Sequence, residues 1–158
     1  MIERAIFAAG CFWHVQETFA HTKGVLSATA GYTGGNHKDP GYEEVSSGRT
    51  GHAESVMVEF DPAVVTYEQL LEVFWGMHDP TTLNRQGPDR GSQYRSAIFY
   101  TTPEQKTMAE ASRDRLQNSG RFGRKRIVTE ITQSTEFYRA EEYHQNYLEK
   151  NGLASCGM

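Results

Sequence analysis

Cysteine is scarce in this chain of 158 residues: only Cys11 and Cys156 occur, and almost the whole sequence separates them. That excludes a disulfide scaffold and a cysteine-based zinc site, both of which need several closely spaced thiols. It fits a reducing, cytoplasmic setting in which any disulfide is transient. Long apolar runs are missing as well. Those present are far too short to cross a membrane, and no basic segment, apolar stretch and small-residue cleavage site open the chain. An excess of positive charge is also lacking, since 16 Lys and Arg stand against 20 Asp and Glu, for a net charge of -4. The cations are dispersed except for Arg121, Arg124, Lys125 and Arg126, which read as a solvated loop. Neutralising a row of phosphates needs more than this, so no nucleic-acid partner is expected. The glycines from Gly31 to Gly35 lack the Lys and Ser or Thr of a phosphate-binding loop. His14, His52, His78 and His144 follow no metal-ligand spacing, so neither metal nor other cofactor is expected.

What remains is the pattern of one α/β domain spanning residues 1–158, with helices packed on a mixed or antiparallel sheet. Ala5 to Ala9 reads as a buried strand ended by Gly10, and Phe12, Val15 and Phe19 recur at helical spacing just beyond it. Val25 to Tyr32 and Ser55 to Phe60 read as strands. The glycine-rich stretch from Thr33 to Gly51 reads as a long loop with a task to perform. Thr66-Tyr67-Glu68-Gln69 has capping-box spacing ahead of an apolar helical face, and Thr102-Pro103 opens a further helix with a capping residue and Pro at the first helical position. Strands are expected over Tyr94 to Tyr100 and around Ile127 to Ile131, with a short final helix from Arg139 to Asn151. Residues 152–158 have no periodicity and read as a mobile tail carrying Cys156.

The chemistry centres on Cys11. At the start of a helix its thiolate is stabilised by unpaired N–H groups and by the helix dipole, so its pKa should fall below about 8.5. Glu54 precedes Val56, Val58 and Phe60 in steps of two. A strand that starts by Glu54 turns this carboxyl towards the core, where it either finds a cation or holds a proton. Phe12 and Trp13 are adjacent and cannot both face the core, so one of them should wall a pocket. Tyr42 and Tyr94 lie beside turns, where phenols can donate to a polar substrate oxygen. Cys156, near the end of the chain, is placed to convert a sulfenic acid on Cys11 to a disulfide. These residues suggest a two-thiol redox cycle with a nearby acid. A peroxidase, a disulfide reductase and a protein that captures oxidised peptides without turnover remain open at this level.

Several motifs narrow the choice: Gly10-Cys11-Phe12-Trp13, Gly51-His52-Ala53-Glu54, His78-Asp79-Pro80-Thr81-Thr82, Asn84-Arg85-Gln86-Gly87, Gln93-Tyr94-Arg95-Ser96 and Glu142-Tyr143-His144-Gln145. In order and spacing they resemble the type A peptide methionine sulfoxide reductases, enzymes that restore oxidised methionine. The resemblance implies a two-layer α/β plait with a ferredoxin-like core and extensive coil. It also implies reduction of methionine S-sulfoxide, free or in proteins, with thioredoxin as reductant, by a monomer. On this resemblance Cys11 is the nucleophile and Glu54 the acid, and Tyr42 and Tyr94 bind the sulfoxide oxygen. Phe12 and Trp13 hold the substrate methyl, Asp89 helps fix the loops and substrate backbone, and Cys156 resolves the oxidised thiol. His14 and Gln16 depart from the usual residues of these enzymes, and Ser46 stands where many have a third cysteine.

Overall fold

In the computed structural model, residues 1–152 are described. A six-stranded sheet runs in the order β7-β6-β1-β3-β2-β8. Its strands are β1 (Glu3–Ala9), β2 (Val25–Thr33), β3 (Ala53–Phe60), β6 (Ser96–Tyr100), β7 (Glu130–Gln133) and β8 (Tyr138–Arg139). A separate hairpin joins β4 (Arg85–Gln86) to β5 (Asp89–Arg90). The sheet is mixed: β6 and β7 are parallel, and the other pairs are antiparallel.

Helices α1 (Phe12–Ala20), α3 (Tyr67–Gly76) and α4 (Pro103–Asn118) pack against the sheet. The reason is visible in β1, whose alternate residues Ala5, Phe7 and Ala9 join one apolar cluster with Phe12, Val15 and Phe19 of α1 and Leu70, Leu71 and Phe74 of α3. Phe7 stacks between Phe19 and Phe74, with ring centroids 5.0 and 5.2 Å away. Burying each such ring contributes about 2 kcal/mol, which binds both helices to the central strand. Ile6 and Ala8 point the other way, to a smaller cluster with Ala53, Ala97 and Phe99. The mixed α/β class expected from the pattern is what forms.

The helix starts follow their sequence signals. Thr66 accepts a hydrogen bond from the Gln69 N–H at 3.1 Å, and Gln69 Oε1 accepts one from the Thr66 N–H at 2.9 Å, a closed capping box on α3. Thr102 caps α4 by accepting from the Gln105 N–H at 3.1 Å, with Pro103 as the first helical residue.

Three local expectations are corrected. The stretch from Thr33 to Gly51 contains a short helix, α2 (Tyr42–Ser46), started by Glu44, whose side chain accepts from the Gly41 N–H at 2.9 Å. Tyr94 belongs to a 3-10 turn (Ser92–Tyr94), and the strand begins only at Ser96. The expected final helix is broken into β8, a 3-10 turn (Glu142–His144) and α5 (Tyr147–Lys150), because the Gln145 and Gln16 side chains take up the backbone groups between them. Among the described residues no helix is long and apolar enough to cross a membrane.

Candidate active site

Gly10, with φ of 94°, turns the chain sharply out of β1, a conformation open to glycine. Cys11 follows as the N-cap residue of α1, one position ahead of the first helical turn, and is partly exposed. Its side chain does not cap the helix. That task falls to Glu54, whose Oε1 accepts the Phe12 N–H at 3.1 Å.

Glu54 reaches that point because β3 begins at Ala53, so the alternation holds: Glu54, Val56, Val58 and Phe60 are all at most 1% exposed. Val56, Val58 and Phe60 lie in the helix-side cluster. Glu54 therefore ends an apolar row and meets the open N-terminus of α1. Thiol and carboxyl share one helix end, whose partial positive charge favours an anion on either.

Across from them stand groups carried on less regular backbone. Tyr42 is the first residue of α2, Asp89 comes from β5 and Tyr94 from the 3-10 turn. With Cys11, Phe12, Trp13 and Glu54 they line one cavity of ≈ 120 Å³. Every expected site residue is thus gathered there except Cys156, which lies outside the described residues. Burial pushes the Tyr42 and Tyr94 phenols above the usual tyrosine range. Both therefore stay protonated at neutral pH and present O–H donors. Burial also raises the Asp89 carboxyl.

Phe12 and Trp13 divide as their adjacency requires. Phe12 is 1% exposed and joins the core while its ring also reaches the cavity; Trp13 is the partly buried wall. The Trp13 ring is fixed from two sides. It lies 3.8 Å from the Tyr147 ring at an interplanar angle of 9°, and its Nε1–H donates to His144 Nδ1 at 3.0 Å. Burial holds His144 below the usual histidine value, which keeps Nδ1 available as an acceptor.

Glu141 anchors Tyr42 by accepting its backbone N–H at 2.9 Å, while its other oxygen accepts the Tyr32 hydroxyl at 2.8 Å. Burial pushes the Glu141 carboxyl up, but these donors outweigh it and hold it below the ordinary range. His144, Tyr147 and Glu141 escaped the sequence reading as working residues. Only His144 had a signal, the Glu142-Tyr143-His144-Gln145 motif, in a stretch without periodicity. No group of three or more His, Cys, Asp or Glu side chains among the described residues is placed to hold a metal ion.

A half-exposed thiol, a buried carboxyl and two neutral phenols around a small cavity with an aromatic wall make a thiol-based oxidoreductase site. The family model for peptide methionine sulfoxide reductase matches residues 3–158. Peptide methionine sulfoxide reductase MsrA of Geobacter sulfurreducens is 59% identical over 155 residues, 98% of this chain and 95% of that protein. Among solved structures, methionine sulfoxide reductase A of Corynebacterium diphtheriae superposes with a TM-score of 0.93 at 38% identity, covering 99% of this chain and 78% of that one. Mxr1 of Saccharomyces cerevisiae in reduced form gives 0.90 at 34%, covering 96% and 86%. The chain belongs to the peptide methionine sulfoxide reductase family, and it is an enzyme that reduces methionine sulfoxide.

Proposed function

We propose that Cys11 attacks the sulfur of methionine S-sulfoxide, free or within proteins, while Glu54 gives a proton to the sulfoxide oxygen. The observation that carries this reading is the convergence of Cys11 and Glu54 on the N-terminus of α1, through the 3.1 Å bond from the Phe12 N–H. Two acidic groups sharing one anion site ionise together only at a cost, so one proton is held between them. A thiolate beside a protonated carboxyl is the state the reaction needs, because the sulfoxide oxygen leaves sulfur only with proton transfer.

The step balances as a two-electron exchange. Attack forms a bond between the two sulfurs and puts the Glu54 proton on the oxygen; that bond breaks as the hydroxyl passes to the Cys11 sulfur, which becomes a sulfenic acid, and methionine is released. Tyr42 and Tyr94 donate to the oxygen as its charge grows, in a cavity walled by Phe12 and Trp13. Phe12 and Trp13 accept the methyl group, and Asp89 orients the substrate backbone. The Cys156 thiol then displaces water from the sulfenic acid to form a disulfide, which a thioredoxin dithiol reduces. Support for that partner comes from yeast Mxr1, which has also been solved in complex with Trx2. Residues 1–158 act as one catalytic domain, working as a monomer in the cytoplasm, where two distant cysteines stay reduced.

Recycling provides the test. Cys156→Ser should release one equivalent of methionine per enzyme and then stall with thioredoxin as sole reductant, leaving a sulfenic acid on Cys11 by mass spectrometry. The parent should show a Cys11–Cys156 linkage. Full thioredoxin-dependent turnover by the variant would remove Cys156 from the cycle.

A further inference from the structure

Behind the cavity lies a segment for which the reaction has no direct use, His78 to Gln86. It is held in place at several points. The Val128 N–H donates to the Pro80 carbonyl at 2.8 Å, and the Asp79 carboxylate accepts the Thr81 N–H and hydroxyl at 2.9 and 2.6 Å. The Thr82 hydroxyl donates to the Arg85 carbonyl at 2.7 Å. At its end the Gln86 side chain, 6% exposed, closes a two-bond clasp on one residue: Oε1 accepts the Asp79 N–H and Nε2 donates to the Asp79 carbonyl, each at 2.9 Å. A planar amide that satisfies both backbone groups of one residue fixes its own stem in direction as well as distance.

That stem has two neighbours that matter. A Cβ built on Gly10 would come within 2.8 Å of both Cβ and Cγ of Gln86, so the stem packs directly against the turn that delivers Cys11. Along the backbone, Gln86 is the register partner of Asp89 in the β4–β5 hairpin, and Asp89 lines the cavity. One side chain therefore braces the back of the Cys11 turn, while its own backbone holds the strand that carries Asp89.

We infer that Gln86 is a positioning residue that sets the separation between the Cys11 thiol and Asp89 across the substrate cavity. Its stem keeps Gly10 in the sharp turn that places Cys11 at the N-cap of α1, and its amide clasp keeps the hairpin, and so Asp89, at a fixed height above that thiol. The two parts act separately. Gln86→Met keeps an unbranched stem against Gly10 and loses the clasp; Gln86→Ala loses both the clasp and the far half of the stem.

This inference rests on Cys11 being the nucleophile, so the test includes a readout that needs no sulfoxide. The alkylation rate of Cys11 is followed against pH, with the modified peptide identified by mass spectrometry. It is paired with single-turnover reduction of a methionine sulfoxide peptide, and rates are scaled to the folded fraction by circular dichroism. Gln86→Met should raise KM for the peptide about fivefold or more with the alkylation midpoint unmoved. Gln86→Ala should add an upward shift of that midpoint and a fall in the single-turnover rate on the order of tenfold. Parental KM, midpoint and rate in both variants would overturn the inference and leave Gln86 a stabilising residue only. A Cys11→Ser variant that still reduces the peptide would instead overturn the nucleophile assignment, which keeps the two failures apart.

Discussion

The two walls of the cavity are built in different ways. Cys11 and Glu54 sit where a strand turns into a helix and where a central strand begins, on backbone whose polar groups are paired in regular ladders. Tyr42, Asp89 and Tyr94 sit on a five-residue helix, a two-residue strand and a 3-10 turn. There the backbone is tied down by side chains instead. Glu141 takes the Tyr42 N–H, Gln93 donates to the Ser46 carbonyl at 3.0 Å and Gln86 clasps Asp79. His52, itself 1% exposed, accepts the Gly35 N–H on Nδ1 at 3.0 Å and donates from Nε2 to the His37 carbonyl at 2.6 Å. The difference teaches that irregular backbone can hold a cavity-lining group steady when key N–H and carbonyl groups are given dedicated side-chain partners. On the roles proposed above, the reacting pair rests on the scaffold, and the recognising groups rest on clamps.

That contrast can be broken at its strongest point first. Cys11→Ser should abolish methionine sulfoxide reduction, a loss of roughly a thousandfold or more in single-turnover assays, since a hydroxyl at neutral pH is a far weaker nucleophile than a thiolate. Glu54→Gln should slow the sulfur-attack step by about a hundredfold, within the usual range for loss of a positioned acid, while far-UV circular dichroism stays native. A single-turnover rate unchanged across pH would take Glu54 out of the chemistry. On the opposite wall the effects should be smaller and shared. Tyr42→Phe or Tyr94→Phe alone should cost only a few-fold because one phenol covers for the other, whereas the double variant should lose on the order of tenfold to a hundredfold in the same assay.

The smallest effect concerns the support behind both walls. His78 Nδ1 donates to the Phe74 carbonyl at 2.8 Å, so Nε2 accepts the Ser96 hydroxyl at 2.7 Å, and Ser96 in turn meets Thr129 at 2.8 Å. Burial lowers the His78 pKa from 6.5 to about 4. Above pH 6.5 neither folded nor unfolded chain carries this proton. As pH falls from there towards about 4, the unfolded chain takes it up and the folded protein does not, so stability declines through that window. The decline should level off below about pH 4, seen as a falling and then flat denaturant midpoint. His78→Asn, with no proton to accept, should flatten that slope.

The same contrast decides what could be read from the sequence. Glu54 was legible because a period of two runs from it through Phe60, and Cys11 because Gly10 and the Phe12, Val15, Phe19 stripe mark a strand-to-helix turn. The capping box at Thr66 and the Thr102-Pro103 helix start were legible for the same local reason. Tyr42 and Tyr94 were found only as aromatics near turns, and Asp89 only through resemblance, since no periodicity reports where coil will lead. The final helix was misread because Arg139 to Asn151 has a composition that suits a helix. Gln16 reaches in from α1 to take the Asn146 N–H, and Gln145 ties the segment to the Ala30 backbone of β2, a tertiary effect that no window of local sequence contains. Glu141 and His144 stayed hidden for that reason.

The order of the sheet has a consequence for the protein's own birth. Strands β1 and β2 both pair early with β3, but the second edge of β1 waits for β6 and that of β2 for β8, partners from much later in the chain. Closing such long loops costs entropy before any contact repays it. The cavity collects side chains from Cys11 to Tyr94, and its Trp13 wall rests on His144 and Tyr147. During synthesis, then, the emerging polypeptide carries Cys11 without the cavity around it. The cavity is complete only when β8 has docked on β2 and His144 and Tyr147 have closed on Trp13.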